Sequence, residues 1–143
     1  MDFEKEFPLR YYLNLGRRED RRTEMEWMLE QTGIRVERFP AVDARFVRNL
    51  RGYDEKGRYA LALTIRLAIR RAKQTGATSV LLLEDDAVLH PNFVELVNQI
   101  ELPGDWGLGD FSSRVSALQA PGALFARISP GDPGSGRPCL GHP

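Results

Sequence analysis

"SVLLLEDDAVLHPNF", Ser79 to Phe93, is the stretch on which the reading of this chain turns. Val80 to Leu83 form a continuous apolar run, the kind of strand buried on both faces of a parallel sheet. Three acids follow at once: Glu84, Asp85 and Asp86. Like charges at the end of a buried strand repel one another, so they need a counter-cation, a metal or ample water. Beyond them Phe93, Leu96, Val97 and Ile100 fall at i, i+3, i+4 and i+7, with Pro91 near the first turn, which predicts a helix.

Working back from this corner, "YALALTIRLAIRRAKQTG" (Tyr59–Gly76) predicts a helix whose Leu and Ile residues cover a broad face. Arg66, Arg70, Arg71 and Lys73 come late in it, where they suit the negative helix end, and Gly76 closes it. "LRYYLNL" (Leu9–Leu15) reads as a first strand. "GRREDRRTEMEWMLEQTG" then predicts a helix carrying Met25, Met28 and Leu29, with Gly33 as its stop. "IRVERF" (Ile34–Phe39) reads as a short second strand ended by Pro40, and residues 44–58 as a loop. The order β-α-β-loop-α-β-α defines an α/β layer on a parallel sheet, in which ligands bind beyond the carboxyl ends of the strands. The acidic triplet stands at such an end. Three strands make a thin sheet, about half of a nucleotide-binding domain.

The 143 residues suffice for one domain with a core. Formal net charge is zero, but it is unevenly spread: residues 1–73 hold 17 Lys and Arg against 12 Asp and Glu, residues 74–143 hold 3 against 8. A basic part suits an anion such as a phosphate and an acidic part a metal ion, although two solvated faces of one domain give the same count. No Lys/Arg run is interleaved with aromatics, which disfavours nucleic acid as a partner. The single Cys139 excludes an internal disulfide or a cysteine zinc site. The acidic start has no apolar core of a signal peptide, and no apolar run reaches the length of a membrane span. A cytoplasmic protein, at most working at the cytoplasmic face of a membrane, is the expectation. Residues 121–143 hold five Pro and five Gly, a density expected to be disordered and unable to continue a sheet. The expected division is a folded part at 1–106 and an atypical tail at 107–143.

Three readings compete for Glu84, Asp85 and Asp86. The first is a solvated turn whose acids cap the next helix. The second is a phosphoryl-receiver site, which needs its acidic strand at the start of the chain and a lysine later; no lysine follows Lys73. The third is an acidic motif that holds Mg or Mn against the leaving diphosphate of a nucleotide-sugar. In that case Glu84 and Asp86, alternate along an extended strand end, would point the same way.

"YYLNLGRREDRR", "VERFPAVDAR" and "TSVLLLEDDAVLHPNF", in this order and spacing, resemble glycosyltransferase family 25, the lipopolysaccharide galactosyltransferase type. The resemblance covers about residues 9–106. It implies a Rossmann-like GT-A-type fold with parallel strands flanked by helices. It also implies a nucleotide-sugar donor such as UDP-galactose, a Mn2+ or Mg2+ ion at Glu84, Asp85 and Asp86, and inversion at the sugar. By position, Asn14, Arg18 and Arg21 would line the nucleotide pocket and Asp43 would face the nucleoside. Glycan or lipopolysaccharide acceptors follow from the same likeness. The simpler readings are that Arg17, Arg18, Arg21 and Arg22 pair with Glu19, Asp20 and Glu24 on a solvated helix start, and that Asp43 forms a turn.

Two departures stand out. Relatives carry Gly-Cys and Ser-His pairs where this chain has "RYALALTIR", with Thr64 the sole candidate for the Ser. Relatives also continue with an acceptor-binding half beyond "LPGDW", whereas this chain turns Gly/Pro-rich and is read as apparently truncated. The general base is therefore expected in that further half. A catalytically dead remnant, or a small α/β interaction domain, are the alternatives. Of the histidines, His90 reads as a solvated turn residue before a metal neighbour, and His142 as tail. Trp27 and Trp106 read as packing residues. Asp105 and Asp110 reach a site only if "GDWGLGDF" folds back over the sheet.

Overall fold

The computed structural model describes residues 2–48, 52, 55–101, 108–110 and 122–128. Among these the elements run α1 (Phe3–Glu6), β1 (Arg10–Asn14), α2 (Glu19–Thr32), β2 (Glu37–Pro40), a 3-10 turn (Ala44–Phe46), α3 (Lys56–Gln74), β3 (Ser79–Glu84), α4 (Phe93–Asn98), β4 (Leu108–Asp110) and β5 (Ala123–Arg127). The sheet order is β2-β1-β3-β5-β4. β1 runs parallel to both β2 and β3, so Asn14, Pro40 and Glu84 end their strands on one side of the molecule.

Side-chain alternation distributes the core over both faces of the sheet. Tyr12, Leu81, Leu83, Ala123 and Phe125 join Phe3, Phe7, Met25, Leu29, Phe93 and Val97 on the α1, α2 and α4 side. Tyr11, Leu13, Phe39, Val80, Leu82 and Ala126 join Ala68 and Ala72 of α3 on the other. The result is the α/β layering that the order of strands and helices predicts. Buried Arg10 fastens α1 to this frame: its Nε donates to the Phe7 carbonyl at 2.7 Å, it pairs with Glu4, and its guanidinium lies 4.8 Å from the Phe3 ring centre.

Several elements depart from expectation. The Leu and Ile residues of α3 are not its innermost row; Ala60, Thr64, Ala68 and Ala72 are. Small side chains at i, i+4, i+8 and i+12 let the helix axis approach the sheet, and Ile65, Leu67 and Ile69 flank the contact half-buried. β2 begins at Glu37 rather than Ile34, because Ile34 is drawn into the core under α2. Trp27 is 65% exposed and stands outside the core, since α2 turns Met25 and Leu29 inward and leaves position 27 on the opposite face. Gly33, at φ 71°, stops α2 as expected.

The largest correction concerns the Gly/Pro-dense stretch. It does continue the sheet: Ala123–Arg127 forms β5, antiparallel to β3 with Leu81 opposite Phe125. The composition of residues 121–143 is an average over the segment, and "ALFAR" itself has no Gly or Pro and reads as a strand with buried Ala123, Phe125 and Ala126. β4 pairs with β5 in turn, giving five strands where three were expected. Trp106, Asp105, Cys139, His142 and residues 129–143 lie outside the described residues. Among the described residues no helix is long and apolar enough to cross a membrane.

Gly122 leads into β5 at φ +83°, and a Cβ there would stand 3.1 Å from Glu84 Oε2 and 3.3 Å from Glu84 Cβ. An alanine would have to hold a left-handed backbone and push the acidic corner aside. Gly122→Ala is expected to lower stability by about 1–2 kcal/mol. A urea-denaturation midpoint indistinguishable from wild type would contradict this packing.

Candidate functional site

The carboxyl ends of β1, β2 and β3 open onto a cleft of about 290 Å³. Its walls are Leu13 and Leu15, Ala41, Val42 and Ala44 beyond β2, and Gly57, Ala60, Leu61 and Thr64 from the first turns of α3. Its charged lining is Arg17 and Arg21 on one side and Glu84, Asp85 and Asp86 on the other. Thr64 is fully buried and fixes one wall: its hydroxyl donates to the Ala60 carbonyl at 2.7 Å and accepts from the Val42 N–H at 3.0 Å.

The acids do not alternate along an extended strand. β3 ends at Glu84, and the Ala87 N–H bonds to the Glu84 carbonyl at 3.0 Å, so Asp85 and Asp86 occupy the centre of a tight turn. Each acid then meets a different environment. Glu84 is half-buried, and its N–H donates to the Gly122 carbonyl at 2.8 Å. Burial raises its pKa, with Asp86 and Asp85 adding to the rise and Arg21 opposing it. Asp86 is exposed. Asp85 is 11% exposed; its Oδ2 accepts from Asn14 Nδ2 at 2.9 Å and its Oδ1 from Arg21 Nη1 at 3.2 Å.

Asn14 lies at the end of β1, 1% exposed, and lends the cleft no side chain of its own. Its Nδ2 also donates to the Arg18 carbonyl at 3.2 Å, and its Oδ1 accepts from Arg38 Nε at 3.0 Å. Arg18 turns away from the cleft and forks onto Asp20, with two bonds of 3.0 Å that hold the Asp20 carboxyl down at about 2. Asp43 caps the 3-10 turn by accepting from the Arg45 N–H at 2.9 Å, and it is shared between Arg45 and Arg17, 3.0 Å from Arg17 Nε. The Arg45 bonds, then Arg17, hold its carboxyl down at about 2, so it stays ionised through the physiological range. The structure thus brings Arg21 and the three acids into one cleft. It places Asn14 just behind that cleft, and Asp43 beside it through Arg17.

Sequence reasoning passed over Arg17, which reaches the cleft, and Arg38, which braces Asn14. Nothing in the local pattern separates these arginines from the solvated ones around them, because their roles depend on strand register. His90 is exposed and local in its bonding: its Nδ1 accepts from the Asn92 N–H at 3.0 Å ahead of α4.

A divalent ion asks for several convergent oxygens. Among the described residues no group of three or more His, Cys, Asp and Glu side chains is arranged as a metal cage. Asp85 is committed to Asn14 and Arg21, leaving Glu84 and Asp86 as the carboxylates this corner can offer. That number fits an ion of the Mg2+ type, which commonly takes one or two carboxylates and completes its shell with substrate phosphates and water.

Arginines and acids thus line a cleft at the carboxyl ends of parallel strands, the edge at which α/β sheets of this kind bind their ligands. No family profile matches the chain. The chain is similar to a protein of Drosophila pseudoobscura pseudoobscura described as "Glycosyltransferase 25 family member", 33% identical over an alignment of 113 residues covering 62% of this chain. The match takes in 18% of that protein, so the chain spans under a fifth of its relative's length.

Proposed function

We propose that this chain forms the donor-binding part of a family 25 glycosyltransferase that passes a sugar from a nucleoside-diphosphate sugar to a glycan hydroxyl. The carrying observation is the meeting of Arg17 and Arg21 with Glu84, Asp85 and Asp86 in one cleft at the parallel strand ends. The donor diphosphate is bound on the arginine side, where a guanidinium can meet phosphate oxygens in a two-pronged way. A Mn2+ or Mg2+ ion held by Glu84 and Asp86 would neutralise the charge that grows on the departing diphosphate. The acceptor hydroxyl attacks the anomeric carbon and gives its proton to a general base, the bond to the diphosphate oxygen breaks with its electron pair leaving on the diphosphate, and the sugar is inverted. Galactose carried on UDP is the proposed donor. The proposed acceptor is a lipopolysaccharide or other glycan, met in the cytoplasm or at the cytoplasmic membrane face.

Isothermal calorimetry with UDP and Mn2+ tests this. Wild type is expected to bind the pair, and Asp86→Ala to lose about tenfold or more in affinity. Equal heats in the two proteins would take the acidic corner out of the site.

A further inference from the structure

Four side chains link β2, β1, the turn after β3 and α2 along one edge of the cleft. Arg38 of β2 donates from Nε to Asn14 Oδ1 at 3.0 Å, and Asn14 Nδ2 at the end of β1 donates to Asp85 Oδ2 at 2.9 Å. Asp85, in the turn after β3, receives Arg21 Nη1 of α2 on its other oxygen at 3.2 Å. The middle of this relay is closed to ligands. Both amide protons of Asn14 are used, on Asp85 and on the Arg18 carbonyl, while its oxygen faces Arg38. The outer end is open: Arg21 lines the cleft at 37% side-chain exposure, and the bond to Asp85 engages one of its five donors.

From this we infer that Asp85 is not a ligand for the metal but a positioning residue, which with Asn14 aims the Arg21 guanidinium at an anionic oxygen of the diphosphate class. The inference rests on the donor-site reading above, and it changes the job of the central acid of the triplet. A guanidinium fixed on one edge by a carboxylate offers its other edge in a set direction, and less side-chain freedom is lost when an anion arrives. A single arginine on a solvated helix start carries no such bias.

Coulomb's law and positioning predict opposite signs, and the experiment uses that. Inorganic pyrophosphate is titrated without metal against wild type, Asp85→Asn, Asp86→Asn and Arg21→Lys. If Asp85 acts through its charge alone, its removal strengthens binding of the anion, as removal of the exposed Asp86 charge does. If it aims Arg21, Asp85→Asn weakens pyrophosphate binding about tenfold, since the new amide presents a donor where an acceptor stood. Arg21→Lys, which keeps the charge and loses the fork, is expected to show the same loss and stands in if Asp85→Asn fails to fold. The Nη1–H resonance of Arg21, which is bonded to Asp85 Oδ1, is expected to be protected from exchange in wild type and to lose that protection in Asp85→Asn. A rise in affinity for Asp85→Asn matching that of Asp86→Asn overturns the inference. So does wild-type affinity in Arg21→Lys, or no pyrophosphate binding by wild type. A parallel titration with UDP separates the two levels. Pyrophosphate bound without UDP removes the nucleotide reading and leaves the role of Asp85 standing. UDP bound with Asp85→Asn behaving as Asp86→Asn does the reverse.

Discussion

Phe125→Ala is expected to unfold with about 3–5 kcal/mol less stability than wild type. Phe125 is 1% exposed and sits opposite Leu81 on the central strand pair. Its ring meets Phe7 edge-on, with centroids 6.1 Å apart, so one side chain joins β5 to the N-terminal segment across the core. Truncation leaves a cavity between the sheet and α1 that neither wall can fill, because both are already close-packed. The check is a urea-denaturation midpoint with an unchanged slope. A loss below about 1 kcal/mol would mean that β5 lies outside the cooperative unit, the position that its Gly/Pro-dense surroundings suggest.

Asn14→Leu is expected to cost about 3 kcal/mol, for a different reason. Leucine has nearly the same shape, so no cavity forms. What goes is the partner of Asp85, of Arg38 Nε and of the Arg18 carbonyl at once. Groups that are largely buried and lose a bond without gaining water carry the full desolvation penalty, and more when charged. Thermal unfolding of the purified variant measures it. A change within about 0.5 kcal/mol of wild type would show that water replaces the amide freely.

The two variants mark where the sequence was legible. Period decided most of the frame: the continuous run Val80–Leu83, the helix ended by Gly33, and the parallel trio follow from pattern alone. β5 was lost because composition averaged over residues 121–143 hides five residues of strand. The site was legible in its ingredients and not in its wiring. Arg21 and the acids were singled out and do meet in the cleft. Asn14 was expected to face the nucleotide, yet the register that sets it beside the Glu84–Ala87 turn spends its amide inward. Arg18 and Arg21 are indistinguishable by spacing, and what separates them is the reach of Arg21 to Asp85, 64 positions away. Such differences arise from contacts between residues some 60 to 70 positions apart, which no local pattern encodes.

The strand order has a bearing on synthesis. β5 is threaded between β3 and β4, so the outer flank of β3 is filled by a strand that leaves the ribosome after β4. A nascent polypeptide that has emerged only through Asp110 can align β1, β2 and β3, but it holds β4 with nothing to dock on. Until Ala123–Arg127 arrives, β3 presents a bare row of backbone donors and acceptors, a template on which neighbouring chains can nucleate aggregates. Chaperone dependence during translation is therefore expected to fall once Ala123–Arg127 pairs with β3.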